Sequence, residues 1–535
     1  MKGDSVVKQI QIKNFRSLKD TGMQTLSPIT ILVGQNSSGK STFLRAFPLL
    51  KQSISKRTSG PILWAGDVDD YVDFGSFQET VTNDGSNEIS FRFKFDLSEL
   101  GNEYDVSGID HIFENGTEDG MLTNVVEYEI TLKSFRGKDV VTKLSLSIND
   151  TNVVFVLRER TIRTNRGFVF KEHTKKQDNS PDTNSRTPFG RSSTVSRTFG
   201  YQLPDIGALL EKYLGKQITQ DSDGFKFYCH TLVNASIGKR LVNKLPLATI
   251  DEKYITKFPP EIIEAFNHMV ELLQKQDDSN LEEFFKICYF YSCFPYIDEY
   301  LFCYFRQVHY IAPVRATAER YYRLRNLAVD EVDFQGKNLA IFINSLPLKR
   351  LSDFQAWTNE HFGFSVIGKK IGGHLSLRIK LRGSEQEINL SDTGFGYSQI
   401  LPIITQLWEL STQGNSRPHG FISLTENLPL VIAIEQPELH LHPAIQAKLA
   451  KAFIACIDLA RKNGRELQLL LETHSETIVN YFGRAIARRQ LKTDDISVII
   501  FEKKAGNCVT EVQTSHYNKY GMLTNWPYGF FESED

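Results

Sequence analysis

The chain has 535 residues and a formal net charge of −2, so any nucleic-acid binding must come from a local patch and not from the overall field. That length exceeds what one core usually holds, and two or three compact units are expected. Six cysteines without Cys-x-x-Cys spacing argue against a disulfide scaffold and for a reducing cytoplasm; the most apolar stretch, Phe284 to Phe305, is broken by Lys286, Pro295, Asp298 and Glu299, and no signal-peptide pattern opens the chain, so neither export nor a membrane span is expected.

Val6 to Phe15 and Ile29 to Val33 read as strands. The second runs into Gly34-Gln35-Asn36-Ser37-Ser38-Gly39-Lys40-Ser41, and Thr42 to Leu50 has helical character. Strand, glycine loop and helix in that order form a phosphate cradle, in which successive backbone N–H groups and the helix N-terminus surround a polyphosphate. Lys40 would reach the β- and γ-phosphates of such a ligand, and Ser41 would ligate Mg²⁺. Gly34 and Gly39 are required because a side chain there would obstruct the turn or the approach of phosphate.

Period-two segments follow at Ile89 to Phe95, Val125 to Leu132, Leu144 to Ile148 and Val153 to Leu157, and read as antiparallel strands. Lys171 to Arg197 is polar and nearly free of apolar residues, so a mobile loop is expected. Between Arg158 and Arg197, ten basic residues stand against four acidic ones, an excess of six that suits either a phosphate-binding arm or a solvated surface. Residues from about Asp205 to Tyr322 show helical periodicity without sustained heptads. The aromatic crowd within Phe284 to Phe305 lacks interleaved cations and reads as core or subunit interface, and Cys288, Cys293 and Cys303 beside it as small core residues with a metal site as the alternative.

A helix over Leu351 to Phe362 and strands at Phe364 to Ile367 and Leu375 to Leu381 lead to Leu390-Ser391-Asp392-Thr393-Gly394-Phe395-Gly396-Tyr397-Ser398-Gln399, a glycine turn that opens the apolar helix Ile400 to Leu410. Leu430 to Ile434 is a buried strand ending in Glu435-Gln436-Pro437-Glu438-Leu439-His440-Leu441-His442-Pro443, which puts carboxylates where a parallel nucleotide-binding sheet holds its metal. Leu469 to Leu471 leads into Glu472-Thr473-His474-Ser475, another strand tip with polar groups.

Together these motifs resemble the ATP-binding-cassette type of ATPase, in the branch that includes the RecF, SMC and OLD families. Asn14-Phe15-Arg16-Ser17, the Gly-x-Asn-x-x-Gly-Lys-Ser loop and Pro-Glu-Leu-His-Leu-His-Pro carry that resemblance, and Tyr310-Ile311-Ala312-Pro313-Val314-Arg315 with Trp526-Pro527-Tyr528-Gly529-Phe530-Phe531 is similar to the PtuA-type ATPases of Septu or retron-associated antiphage systems. The fold so implied is α/β: a P-loop ATPase lobe with a mixed sheet flanked by helices and an antiparallel β extension, plus an inserted, mostly helical domain. The expected division is residues 1–80 and 331–535 for the two halves of the lobe, 81–170 for the extension, 171–200 for the basic loop and 201–330 for the helical insertion.

The resemblance implies ATP and Mg²⁺ as cofactors, with Gly34, Asn36, Ser37, Ser38, Gly39, Lys40, Ser41 and Thr42 around the nucleotide and Gln78 as the glutamine that senses Mg²⁺ and the γ-phosphate. It implies that Ser391, Gly394 and Gly396 face a nucleotide held by a second copy, so that ATP joins two lobes. Ser41 and Glu435 would hold the metal, and His474 would be the switch histidine at the γ-phosphate. Where the family carries a second acid to polarise water, this chain has Gln436, so slow hydrolysis is expected unless Glu438 replaces it as base. Only about sixty residues follow His474, and no Asp-x-Asp follows Glu502, so no nuclease of its own is expected. The expected function is an ATP-switched sensor or scaffold that controls a separately encoded effector nuclease, of HNH type by resemblance, with DNA or a DNA/RNA hybrid as a further partner. The competing expectation is a RecF-like repair ATPase that loads proteins on DNA, and a transporter subunit is a weaker third.

Overall fold

The computed structural model describes residues 7–82, 85, 87–96, 125–148, 151–165, 167–171, 196–204, 279–315, 318–323, 329, 331–412, 428–503 and 509–526. Its N-terminal elements are β1 (Gln9–Phe15), β2 (Leu18–Asp20), β3 (Gln24–Thr25), β4 (Ile29–Gly34), α1 (Lys40–Ser55) and α2 (Phe77–Thr80). Next come β5 (Glu88–Asp96), β6 (Val125–Phe135), β7 (Lys138–Ile148), β8 (Thr151–Val156), β9 (Thr161–Thr164), β10 (Val169–Lys171) and the long helix α3 (Ser279–Arg306). The remainder holds β11 (Val308–Ile311), β12 (Tyr322–Arg323), α4 (Leu339–Ser345), α5 (Leu348–Phe362), β13 (Phe364–Ile371), β14 (His374–Leu381), β15 (Glu387–Asn389), α6 (Phe395–Thr412), β16 (Leu430–Glu435), α7 (Pro443–Lys462), β17 (Leu467–Glu472), α8 (Glu476–Ala487), β18 (Ile496–Lys503) and β19 (Thr510–Ser515). The chain divides into two compact units, one of residues 1–11, 53–63 and 83–303, the other of 12–52, 64–82 and 304–535.

The second unit is built on a six-stranded sheet in the order β11-β16-β17-β4-β18-β19, parallel throughout except for β19. Every residue of β4, β16 and β17 is buried, which is why these strands read as unbroken apolar runs and not as alternating ones. The register pairs Glu435 with Glu472 and Glu472 with Leu32, so β16 and β17 finish level while β4 runs two residues further to Gly34, which sets two carboxylates beside the start of the glycine loop. Helix α6 is buried over almost its whole length, and its Trp408 and Ile404 join Phe354, Phe453 and Phe482 in the core around the sheet. A smaller antiparallel sheet, β12-β14-β13 with β15 on β14, leads the chain into the turn before α6.

In the first unit β5 to β10 form an antiparallel meander. Alternate residues Ile89, Phe91, Phe93 and Phe95 of β5 are fully buried, as period two requires of a sheet with one covered face. Residues 279–303 of α3 supply the aromatic filling: Phe284, Phe290, Phe294 and Tyr300 are buried, and Tyr300 stacks on Phe95 with ring centroids 4.8 Å apart. These rings are core, and so are Cys288, Cys293 and Cys303, all buried thiols. Asp298, also buried, ties this helix to the segment 196–198, accepting from Ser196 Oγ and the Arg197 N–H, both at 2.6 Å, and from the Thr198 N–H at 3.3 Å. Asp298→Ala would strand these donors, and a loss of about 3 kcal/mol is expected in a urea titration of the purified protein. Asp298→Asn, which keeps an acceptor in place, should recover most of it; an alanine variant as stable as wild type would contradict this account.

Two sequence expectations shift, and others fall outside the described residues. Val308–Ile311, counted with the helical insertion, is the edge strand β11 of the six-stranded sheet, because four residues between a helix and Pro313 carry no readable period. Within the basic stretch, three of the cations are already engaged: Arg158 lies 3.6 Å from the Phe135 ring centroid, Arg163 pairs with Glu159 at 3.2 Å, and Arg197 pairs with Glu299 at 2.5 Å. Residues 172–195 of that stretch, residues 205–278 of the helical insertion and Pro527 to Phe531 lie outside the described residues.

Candidate nucleotide site

The site gathers at the carboxyl ends of β4, β16 and β17 and the start of α1. The loop conformation is dictated by its glycines. Gly34 has φ +155° and Gly39 φ +96°; a Cβ on the first would collide with the Phe501 carbonyl oxygen, and one on the second would come within 2.8 Å of Leu18 Cδ2. Between them Asn36 and Ser37 are exposed, Ser37 with φ +59°, while Ser38 is fully buried and its Oγ has no hydrogen-bond partner. Thr42 follows in the first turn of α1, half-buried.

Lys40 is almost fully buried, and its ammonium folds back on the loop, donating to the carbonyl oxygens of Gly34 at 3.0 Å and Gln35 at 2.7 Å. Burial holds it below the usual lysine range, against the pull of Glu472 and Glu438. A cation held only by two neutral carbonyls inside a glycine loop is poised to exchange them for phosphate oxygens.

The two strand-end glutamates are treated very differently. Glu435 is buried and fully occupied: Arg45 Nε donates to Oε1 at 2.6 Å, Arg45 Nη2 to Oε2 at 2.7 Å, and the Tyr310 hydroxyl to Oε1 at 2.8 Å. This bidentate pair raises the Arg45 pKa further. Glu472 is equally buried, but Oε1 takes only the Ser41 hydroxyl, at 2.7 Å, and Oε2 has no partner. Burial, then the Glu435 charge, pushes its carboxyl up to about 7. A half-satisfied buried carboxylate touching the hydroxyl of the phosphate loop is the donor set that a hard divalent cation completes; Mg²⁺ commonly takes one or two carboxylates and fills its sphere with phosphate and water oxygens. Ser41 and Glu472 therefore fit such an ion, whereas Glu435, expected from the sequence to hold it, is engaged by Arg45 and Tyr310.

Gln436 sits just past β16 with φ +43°, its N–H donating to the Glu472 carbonyl at 2.9 Å and its own carbonyl accepting from Arg315 Nη2 at 3.2 Å. Arg315 also donates to the Glu435 carbonyl at 2.9 Å, while its Nε and Nη1 are buried without partners. Burial pulls Arg315 down to about 10. Glu438 uses both oxygens, accepting from Thr473 Oγ1 at 2.8 Å and the His474 N–H at 2.7 Å, and burial lifts its carboxyl above the usual range. The His474 side chain is exposed, and partial loss of hydration with the nearby Lys40 charge lowers its pKa. Lys40, Ser41, Glu435, Gln436, Glu438 and His474 thus lie together at this end of the sheet.

The remaining predicted residues are not joined to this cluster by the hydrogen bonds described. Gln78 is exposed on the four-residue helix α2, whose start is fixed by Ser76 and Glu79 in a capping box. Ser391 donates through N–H and Oγ to Asn389 Oδ1, at 3.0 and 2.9 Å. Gly394, φ +79°, faces open space, and Gly396 enters α6 with its nearest neighbour, the His440 carbonyl oxygen, at 3.8 Å from a built Cβ. Sequence reasoning missed Arg45, Arg315 and Tyr310 as site residues and gave Glu472 no role. Signals existed for three of them: Tyr310 and Arg315 bracket a motif noted only for its likeness, and Glu472 closes a buried strand as Glu435 does.

A family model described as an AAA ATPase domain matches residues 6–479. No curated protein matches the chain. Among solved structures, an SMC head bound to the C-winged helix domain of ScpA aligns over 95% of this chain and 97% of its own at 11% identity, with a TM-score of 0.33. The SMC head domain from Thermotoga maritima aligns over 95% and 98% at 10% identity, also with a TM-score of 0.33. Both likenesses are too distant to transfer a role.

Proposed function

Because the chain belongs to the family of AAA ATPase domains, we propose that it is an ATP-binding, slowly hydrolysing switch that closes on a second copy of itself and controls a separate effector nuclease in antiphage defence. The observation that carries the nucleotide part is the convergence of Lys40, Ser41 and Glu472 at the mouth of the glycine loop, Ser41 and Glu472 being 431 residues apart in sequence. The loop N–H groups and Lys40 bind and orient the β- and γ-phosphates, and the partnerless Ser38 hydroxyl is a further donor within the cradle. Mg²⁺, when bound, supplies charge neutralisation on the phosphate oxygens. Glu438, with both oxygens taken, positions Thr473 and the His474 backbone, and so places the His474 imidazole near Lys40. Gln436 offers an amide that orients water without accepting its proton.

The second copy is supported by the turn at Ser391 to Gly396, where Phe395 is 62% exposed beside an unobstructed Gly394. An open glycine turn flanked by an exposed aromatic suits a surface that meets another molecule. The effector, the defence role and DNA or a DNA/RNA hybrid as partner rest on the motif resemblance and on the basic excess within 158–197. Affinity purification from the native host, with mass spectrometry and nucleic-acid sequencing of what co-elutes, tests them: a stoichiometric small nuclease supports the reading, and a protein that elutes alone or with gapped duplex only contradicts it. Any nucleic-acid binding should weaken steeply with salt, and should persist unchanged after reversal of four arginines in 158–197 only if that stretch is not the contact.

A further inference from the structure

We infer that Glu472, at the end of the strand before Thr473-His474, is the carboxylate that takes the divalent cation together with Ser41, and that Glu435 serves instead as the acceptor of a structural latch from Arg45 and Tyr310. This deepens the nucleotide reading above and rests on it. Two independent observations point the same way. Glu472 Oε1 already lies 2.7 Å from Ser41 Oγ, while Oε2 is buried and has no partner among the described residues. Leaving a carboxylate oxygen unpaired in the interior is costly, and a cation with its waters is the natural partner beside a phosphate cradle. Glu435, by contrast, already has both oxygens engaged. Three donors at 2.6 to 2.8 Å cover both of its oxygens, and two of them come from one guanidinium in a bidentate geometry that a cation would have to break. Arg45 lies one helical turn after Ser41 on α1, so the latch fixes the phosphate-loop helix against the end of β16.

The latch also has a consequence for charge. With Arg45 compensating Glu435, Glu472 is the carboxylate at the strand ends that has no arginine bonded to it, and the one whose replacement changes what a metal meets.

The test measures affinity for a fluorescent ATP analogue with and without Mg²⁺, and separately the binding of Mn²⁺ to the nucleotide-loaded protein by electron paramagnetic resonance. In wild type Mg²⁺ should tighten nucleotide binding. Glu472→Gln should reduce that metal-dependent gain by about tenfold or more while metal-free nucleotide binding is retained, as expected for loss of a ligand. Glu435→Gln should keep the gain and lower the melting temperature instead. Should Glu472→Gln fail to fold, Glu472→Asp, which retracts the carboxylate by one methylene, must still alter the Mn²⁺ spectrum. Full retention of the Mg²⁺ gain in a folded Glu472→Gln protein, or its loss in Glu435→Gln, overturns this assignment while leaving the nucleotide site intact. A wild-type protein that binds no ATP at all would overturn both.

Discussion

Lys40→Ala is expected to remove ATP binding. Among the described residues its ammonium hydrogen-bonds the Gly34 and Gln35 carbonyls, so replacing them by phosphate oxygens gains charge-assisted bonds that alanine cannot make. Two such bonds are worth about 3 kcal/mol or more, on the order of a hundredfold or greater in affinity. The fold should survive, because alanine at the start of α1 leaves the backbone of the loop unchanged and removes a buried charge that burial already disfavours. Titration with a fluorescent ATP analogue checks this, and an unchanged affinity in a folded variant would remove the glycine loop from the account.

Gln436→Glu is expected to raise ATP turnover. The position is backbone-pinned, by the Glu472 carbonyl on one side and Arg315 on the other, so the substitution changes the side chain and not its placement. A carboxylate there could accept the proton of an attacking water, and general-base assistance contributes about 10²–10⁴-fold. Wild-type turnover should therefore lie well below the usual range of roughly 1–10³ per second. Glu438 is poorly suited to replace the base, since its two oxygens are held by Thr473 and the His474 N–H. Glu438→Gln is expected to disturb nucleotide response through His474 more than to abolish a fast reaction. Brisk wild-type hydrolysis that disappears in Glu438→Gln would contradict this reading and make Glu438 the base.

Local patterns were the legible part. Strand β4, the glycine loop and α1 are contiguous from Ile29 to Ser55, so Lys40 and Ser41 could be proposed without tertiary knowledge. The buried parallel strands were equally readable, because burial on both faces leaves unbroken runs such as Leu430 to Ile434. What the sequence hid is which donors reach which carboxylate. Arg45 meets Glu435 across 390 positions and Tyr310 meets it across 125, and no spacing rule connects them. The alignment of Glu435 with Glu472 depends on the register of β16 against β17, which is a property of the folded sheet. Short β11 escaped for a different reason: four residues carry too little period to be told from the end of a helix.

The solution mass of the purified protein, measured by light scattering with and without ATP and Mg²⁺, tests the central claim most directly. An ATP-gated switch predicts a larger assembly with ATP than without, persisting for many minutes because hydrolysis is slow, and absent in Lys40→Ala. A mass that is the same with and without ATP, and the same again in Lys40→Ala, would contradict it.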